Sequence, residues 1–316
     1  MLWILLGRLL HGSKKIATNL AGTSNGKTFT SEHLDFIKSE KPDIMTTSSF
    51  GSSDVTDVMM NVWKDLYDHG CFLCCAAGNT DVKGCRDLAQ TDLWKAIGAC
   101  EYNKNLKRAY YSAIDDELDF MSFAGLRTTY KGKKINGTSF ASPLFAGMLA
   151  LVQSFFRSKL GKKLTHKKLL EFVKENCLDL GDQGKDDYYG HGLFVLPNPD
   201  SIDIMKYSDF ASIEEVFEYL QKEGELLEPN YWKEKIAQED KLKWLFIKWA
   251  HAVSASEHLQ EKDFTIINHY NIDDIMKGLN EMGFLLEPDY WKEKIAKEDK
   301  LKWMFFKWYY AIKRVI

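Results

Sequence analysis

The stretch NGTSFASP occupies residues 136–143, and the apolar run LFAGMLALVQSFF continues it over residues 144–156. A Gly-Thr-Ser turn that feeds a helix places the hydroxyl of Ser139 at the helix N-terminus, where free N–H groups and the helix dipole favour negative charge. The small side chains of Ala141 and Ser142 allow that helix to approach its neighbours closely. Since a serine hydroxyl is a weak nucleophile without a base, the pattern predicts a helix-borne serine that needs a partner.

This stretch resembles the nucleophile motif of the subtilases, the subtilisin-like serine peptidases, almost letter for letter. The resemblance implies that Ser139 is the nucleophile and that the chemistry is peptide-bond hydrolysis through an acyl-enzyme. A second motif, CCAAGNT at residues 74–80, resembles the family's strand that ends in Ala-Ala-Gly-Asn. By the same resemblance, the side chain of Asn79 donates to the oxyanion together with the backbone N–H of the nucleophile.

A third motif, KPDIMTTSSFG at residues 41–51, resembles the family segment that lines the substrate cleft and pairs with the substrate backbone. The resemblance implies a set of residues that bind a peptide or protein substrate, namely Ser49, Phe50, Gly51 and Gly78. The three motifs follow one another in the family order. The interval from Ser49 to Asn79 agrees closely with the family, and the interval from Asn79 to Ser139 is slightly short, which is consistent with trimmed surface loops.

Residues 1–200 alternate short apolar runs with helical patterns, which is typical of a parallel α/β sheet. The resemblance covers about residues 14–199 and implies a subtilisin-like parallel sheet flanked by helices, incomplete at its N-terminus. The sequence PNPD then breaks the pattern at residues 197–200. We therefore expect a partial peptidase domain followed by a small all-α tandem-repeat region, with boundaries at 1–200, 206–257 and 265–316.

A subtilase needs an Asp and a His ahead of the serine in the chain. The candidate base is His11, in the sequence His-Gly-Ser, but it lies closer to Ser49 along the chain than the family separation allows. A second alignment places the family strand at Ile16, at the expected distance before Ser49, and makes His11 a surface histidine. It predicts that the Asp and the His both lie upstream of Met1, and that the chain as printed is inactive.

Three explanations of the missing segment stay open: a gene model that starts late, a second chain that supplies the segment, or a rebuilt family core. The functional alternatives are a serine endopeptidase and a non-catalytic binding protein, in which a degenerate subtilase fold carries a wall-, virion- or partner-binding tail. A third alternative is a tail that only drives oligomerisation. The intact motifs around Ser139 and Asn79 favour the peptidase, because a decayed site has no need for an oxyanion donor.

The C-terminal region is an internal duplication. LLEPNYWKEKIAQEDKLKWLFIKWA begins at Leu226 and LLEPDYWKEKIAKEDKLKWMFFKWY begins at Leu285. Apolar residues at helical spacing predict one buried helix face in each copy, formed by Leu242, Leu245, Phe246 and Trp249 and again by Leu301, Met304, Phe305 and Trp308. Trp232 and Trp244 lie off that face, and they either join the core of the repeat or contact a ligand, sugar or partner chain.

The duplicated segments resemble the Pro-x-Tyr-Trp helical repeats at the ends of bacteriophage lysins and of other phage- or prophage-encoded proteins. This resemblance implies cell-wall binding, virion binding or self-association through residues 206–316. Because the sequence pattern contains neither a signal peptide nor a transmembrane segment, we expect a cytoplasmic or phage-associated location.

The composition restricts the other partners. With 42 basic and 45 acidic residues, the charge balance gives no reason to expect a nucleic-acid partner. No Cys or His stands in a metal-ligand spacing and no acidic loop indicates calcium, so we expect neither a metal nor a cofactor.

The N-terminal MLWILLGRLL is too short to cross a membrane, and it lacks the features of a signal peptide. We expect no other stretch of transmembrane length and hence no membrane partner.

Overall fold

The computed structural model describes residues 31–48, 57–80, 85, 87–125, 135–226, 228–256, 272–281, 284–285 and 287–297, with residues 301, 304, 305, 308, 311 and 312 of a further helix. His11 and the predicted substrate residues Ser49, Phe50 and Gly51 lie outside these ranges. The described chain divides into two compact units. The first unit contains residues 31–152 and 165–198, and the second contains residues 153–164 and 199–312.

The first unit is built on a six-stranded sheet with the strand order β1-β2-β3-β4-β6-β5. The strands are β1 (Ile44–Thr47), β2 (Phe72–Ala76), β3 (Trp94–Glu101), β4 (Leu118–Ala124), β5 (Cys177–Leu178) and β6 (Leu193–Phe194). Strands β1, β2, β3, β4 and β6 run parallel to their neighbours, and only β5 pairs antiparallel, with β6. The prediction of a mostly parallel sheet is confirmed.

Four helices accompany this sheet along the chain: α1 (Ser31–Glu40), α2 (Asp57–Asp68), α3 (Thr138–Leu160) and α4 (His166–Glu175). In α2 the buried residues follow helical spacing, Met59, Val62, Trp63 and Leu66. The Trp63 ring meets the Trp94 ring of β3 edge-on, with 5.4 Å between centroids. Every residue of β2 is buried, as expected for a parallel strand that is covered on both faces.

Helix α3 corrects one expectation from the sequence. Its 23 residues are long and apolar enough, by length and composition, to cross a membrane, so the expectation that no stretch reaches this length was wrong. The core helix of a globular domain passes the same test. Phe145 of α3 is fully buried and packs against the rings of Phe72, Phe120 and Phe194, at centroid distances of 6.2, 5.4 and 5.6 Å. These contacts with three strands place Phe145 in the core of the first unit.

The second unit is helical over its described residues beyond 211. Its helices are α5 (Ile213–Lys222), α6 (Pro229–Gln238), α7 (Asp240–Ser256), α8 (Ile272–Glu281) and α9 (Pro288–Ile295). The buried residues of α5 and α8 correspond between the two copies, with Val216, Phe217 and Leu220 matched by Ile275, Met276 and Leu279. The predicted helix faces of the two copies are buried as well, including Trp249 and Trp308.

Trp232 belongs to the core of its helical copy. It is 6% exposed, and its ring lies 5.2 Å from the Phe246 ring of α7. Trp291 repeats the arrangement in the second copy, 5.7 Å from the Phe305 ring. Of the two alternatives for Trp232, core packing is therefore confirmed, because α6 packs against α7 and buries the Trp232 ring. Trp244 is half-buried beside the ammonium groups of lysines.

Candidate active site

Two neighbouring strands end beside the N-terminus of α3. Strands β1 and β2 pair in parallel, so their carboxyl ends lie at one edge of the sheet. Ser48 follows β1, and its Oγ donates to the backbone oxygen of Ser139 over 2.8 Å. The buried hydroxyls of Thr46 and Ser142 share a hydrogen bond of 2.9 Å. These bonds hold the first turn of α3, and with it Ser139, at the edge where β1 and β2 end.

Asn79, three residues beyond β2, is hydrogen-bonded to the first residue of α3. The N–H and the hydroxyl of Thr138 both donate to Asn79 Oδ1, over 2.8 and 3.0 Å. The Thr138 hydroxyl accepts from the N–H of Gly78 over 3.2 Å. Because two donors face one end of the Asn79 amide, that end must be the oxygen. The Asn79 NH₂ group is therefore at the other end, and the described residues give it no acceptor.

Ser139 is the second residue of α3 and is half-buried. Its N–H belongs to the first helical turn, where donors have no partner within the helix, and no described residue accepts from it. Its hydroxyl has no hydrogen-bond partner among the described residues either. The Ser139 N–H and the Asn79 NH₂ are thus two hydrogen-bond donors that have no acceptor among the described residues. They lie on two turns that the hydrogen bonds from Thr138 to Asn79 hold together. Donors in such an arrangement can stabilise an oxyanion.

Two glycines permit the backbone turns that carry these donors. Gly78 has φ of +127° and Gly137 has φ of +126°, values that residues with a side chain rarely adopt. A Cβ atom at position 137 would also lie 3.6 Å from Asn79 Nδ2. Glycine before Asn79 and before Thr138 is therefore a requirement of the backbone, which is why both motifs contain it.

Tyr111 contacts the same turn, although no motif singled it out. Its hydroxyl oxygen accepts a hydrogen bond from the N–H of Gly137 over 2.8 Å. The side chain is half-buried, and burial raises the pKa of the Tyr111 phenol. The sequence carries no signal for this contact, because Tyr111 lies 26 residues before Gly137, outside both motifs.

No described histidine is hydrogen-bonded to Ser139. The backbone N–H of His191 donates to the Asp119 oxygen over 2.7 Å, and its ring lies 5.5 Å from the Phe120 ring. Burial, with nearby lysines, lowers the pKa of the His191 imidazole to about 4. No group of three His, Cys, Asp or Glu residues in the described part of the chain could hold a metal ion. The described residues thus bring together the predicted nucleophile, Ser139, and the predicted oxyanion donor, Asn79, and no described histidine is hydrogen-bonded to them as a base.

Comparison with known proteins places these motifs in a family. The sequence model of the subtilase family matches residues 12–192, more than half of the chain. Subtilisin DY of Bacillus licheniformis is 31% identical over 159 residues, which cover 48% of this chain and 54% of that protein. The major intracellular serine protease of Bacillus subtilis is 27% identical over 178 residues, which cover 54% of each chain.

Among solved structures, the crystal structure of a lanthipeptide protease aligns with a TM-score of 0.44 and 19% sequence identity. That alignment covers 52% of this chain and 62% of the other. The chain spans about half the length of these two curated relatives. The residues matched by the family model, 12–192, include Asn79 and Ser139.

Proposed function

Because the chain belongs to the subtilase family of serine peptidases, we propose that its chemistry is that of a serine endopeptidase, which hydrolyses peptides or proteins through an acyl-enzyme on Ser139, and that turnover stays low until an Asp and a His complete the site. In this proposal Ser139 Oγ attacks the substrate carbonyl carbon and the carbonyl oxygen becomes an oxyanion. The Asn79 NH₂ and the Ser139 N–H donate to that oxyanion. When the oxyanion collapses, the C–N bond breaks and the amine product leaves with a proton, so that the acyl group stays on Ser139 as an ester. Water then hydrolyses this ester, which releases the acid product and restores the Ser139 hydroxyl.

One observation carries the proposal. Thr138 donates twice to Asn79 Oδ1, which fixes the orientation of the Asn79 amide and leaves its NH₂ group uncommitted beside the turn of Ser139. Because the Asn79 amide is already oriented, its NH₂ group loses little conformational entropy when negative charge develops on the substrate oxygen. An asparagine with a purely structural turn role would not need its NH₂ group exposed at the N-terminus of the serine helix.

The base is the part of the mechanism that the described residues do not supply. The proton of Ser139 Oγ must pass to a base before or during attack on the substrate. His11 is the candidate that the sequence offers, and it lies outside the described residues. The alternative alignment assigns His11 to the surface, so the two alignments differ in the expected effect of replacing it.

Labelling with a fluorophosphonate probe, followed by peptide mapping of the adduct, tests the proposal. We expect slow labelling of Ser139, since sites with oxyanion donors but an incomplete triad keep roughly 10³–10⁴ of rate enhancement over water. Ser139→Ala should abolish the adduct, and His11→Ala should leave its rate unchanged. Circular dichroism of both variants controls for folding.

The other outcomes of this experiment separate the competing hypotheses. Loss of labelling in both variants would make His11 the base and contradict the alignment that places it on the surface. Absence of any adduct at Ser139 would overturn the peptidase proposal. It would favour a binding protein that keeps the subtilase fold without its chemistry.

We also propose that the boundaries 1–200, 206–257 and 265–316 separate a peptidase part from two helical repeats. The matching buried residues of α5 and α8 and of the two Pro-Asx-Tyr-Trp helices support this division. Cell-wall binding, virion binding and self-association are the proposed roles of the repeats. Light scattering of the whole chain over a range of concentrations tests self-association, and a constant monomer mass would exclude it.

A further inference from the structure

A short loop between β3 and β4 is folded around one arginine. Arg108 Nη1 donates to the backbone oxygens of Ala109 and Tyr110, over 3.3 and 3.5 Å, and to that of Ser112. Three carbonyl groups of consecutive turns therefore converge on a single guanidinium group, which is always charged at physiological pH. Such charge-assisted bonds define the loop conformation more firmly than bonds between neutral groups.

This loop is hydrogen-bonded to both turns of the candidate active site. The N–H of Ala113 donates to the Gly78 oxygen over 3.0 Å, directly before Asn79. The hydroxyl of Tyr111 accepts from the Gly137 N–H over 2.8 Å, two residues before Ser139. A Cβ at position 78 would lie 3.4 Å from the Ala113 Cβ, so the loop and the Asn79 turn are in van der Waals contact.

We propose that Tyr111 is a positioning residue that fixes the turn of Ser139 through its hydroxyl group; this inference rests on the proposed peptidase function. Gly137 N–H is committed to Tyr111 and Thr138 N–H to Asn79, so both peptide planes before Ser139 are fixed. The next N–H along the chain, that of Ser139, is the first that stays available for an oxyanion. Without the phenol oxygen, the glycine peptide would lose its acceptor and the turn would gain freedom.

The hydroxyl group, and not the ring alone, has this role. Burial raises the pKa of the Tyr111 phenol, so the group is neutral and accepts the Gly137 hydrogen bond while it keeps its own proton. Tyr110 offers a matched control, because the two rings meet edge-on at 5.3 Å but the Tyr110 side chain is 74% exposed. Its hydroxyl has no hydrogen bond to a described residue.

The experiment compares Tyr111→Phe with Tyr110→Phe and the starting protein in fluorophosphonate labelling over a range of probe concentrations. We expect the limiting first-order rate of Ser139 labelling to fall roughly tenfold in Tyr111→Phe, because a looser turn presents the Ser139 N–H to the oxyanion less often, an effect comparable to the loss of one hydrogen bond. The probe concentration at half-saturation should stay unchanged. The melting temperature should fall by only a few degrees, because the buried Gly137 N–H loses its acceptor. Tyr110→Phe should label at the rate of the starting protein.

A second readout follows the contact itself. The amide proton resonance of Gly137, measured by NMR, should move upfield in Tyr111→Phe and stay in place in Tyr110→Phe. An unchanged labelling rate in Tyr111→Phe would overturn the inference. A raised half-saturation concentration with an unchanged limiting rate would do so too, since it would indicate a wall of the substrate site.

Failure of the proposed function would look different. If the starting protein formed no adduct at Ser139, the peptidase proposal would fall first. The Gly137 resonance would then decide whether the hydroxyl of Tyr111 orders this turn: an upfield shift in Tyr111→Phe would support that part, and an unmoved resonance would overturn it.

Discussion

Asn79 combines two hydrogen-bonding tasks in one side chain. Its oxygen accepts from the N–H and the hydroxyl of Thr138, and its NH₂ group is left to donate. An aspartate has the same shape and keeps the acceptor oxygen, but it has no hydrogen to donate and adds a negative charge. The two tasks can therefore be separated by substitution.

We expect Asn79→Asp to lower the rate of Ser139 labelling by at least about 10²–10³-fold, the range that removal of such a donor costs in subtilisin itself. The melting temperature should stay close to that of the starting protein, because the Thr138 bonds are kept. Asn79→Ala should lower both the rate and the melting temperature. Equal labelling rates in Asn79→Asp and the starting protein would show that Asn79 does not face the oxyanion.

The sequence predicted individual residues of the candidate site only where a motif specifies them. Ser139 and Asn79 stand in contiguous strings that need particular side chains and glycines, so the sequence indicates them directly. Ser48 and Tyr111 reach the same site through single hydrogen bonds to partners that lie 91 and 26 positions away in the sequence. Such contacts depend on the fold of intervening segments, and a single sequence has no local pattern for them.

Lys248 joins two elements of the C-terminal unit. It is 5% exposed on α7, and its Nζ donates to the backbone oxygen of Phe284, beyond α8, over 2.8 Å. The Nζ also lies 5.5 Å from the Trp308 ring centroid. Burial, together with the charge of Lys159, lowers the pKa of Lys248 to about 7. Because this amine is buried between the two helical copies, we expect the stability of their packing to depend on pH.

The direction of the effect follows from proton linkage. The unfolded chain holds the Lys248 proton up to the ordinary pKa of 10.5, whereas the folded unit releases it near 7. Unfolding therefore takes up a proton between these values, and stability rises with pH in that window. Below about pH 7 both states are protonated, and the contribution of Lys248 no longer changes.

We expect hydrogen-exchange protection of α7 amides to rise between about pH 7.5 and about 9.5, after correction for the intrinsic exchange rate. Lys248→Met should show a smaller rise, because it has no amine to titrate. Lys243→Met, a half-buried position on the same helix, should match the starting protein. An equal rise in Lys248→Met would place the titrating group elsewhere.

The elements themselves were predicted unevenly. Helical spacing identified the buried face of α7, including Trp249, because that face is set by one helix alone. The sequence left two alternatives open for Trp232, because its burial depends on how α6 crosses α7. The expectation that no further stretch reaches transmembrane length failed, because composition alone does not separate a core helix from a membrane span. The contacts of Phe145 with three strands are set by the fold.

At the scale of the whole molecule, the alternation of apolar runs and helical patterns predicted the parallel sheet flanked by helices. The order β1-β2-β3-β4-β6-β5 places the carboxyl ends of β1 and β2 side by side, and this adjacency brings the Asn79 turn to α3. The short antiparallel pair of β5 and β6 was not predicted, since strands of two residues have no periodicity to detect. The sequence motifs therefore identified Asn79 and Ser139, whereas the hydrogen bonds that Ser48 and Tyr111 make to this site could be seen only in the folded structure.

The most direct test of the account is a crystal structure of the protein after reaction with a fluorophosphonate. The phosphonyl oxygen of such an adduct occupies the position of the substrate oxyanion. We predict a covalent bond to Ser139 Oγ and a phosphonyl oxygen about 2.7–3.1 Å from both Asn79 Nδ2 and the Ser139 backbone nitrogen. An adduct at Ser139 whose oxygen points away from Asn79, or an adduct at another residue, would contradict the site described here.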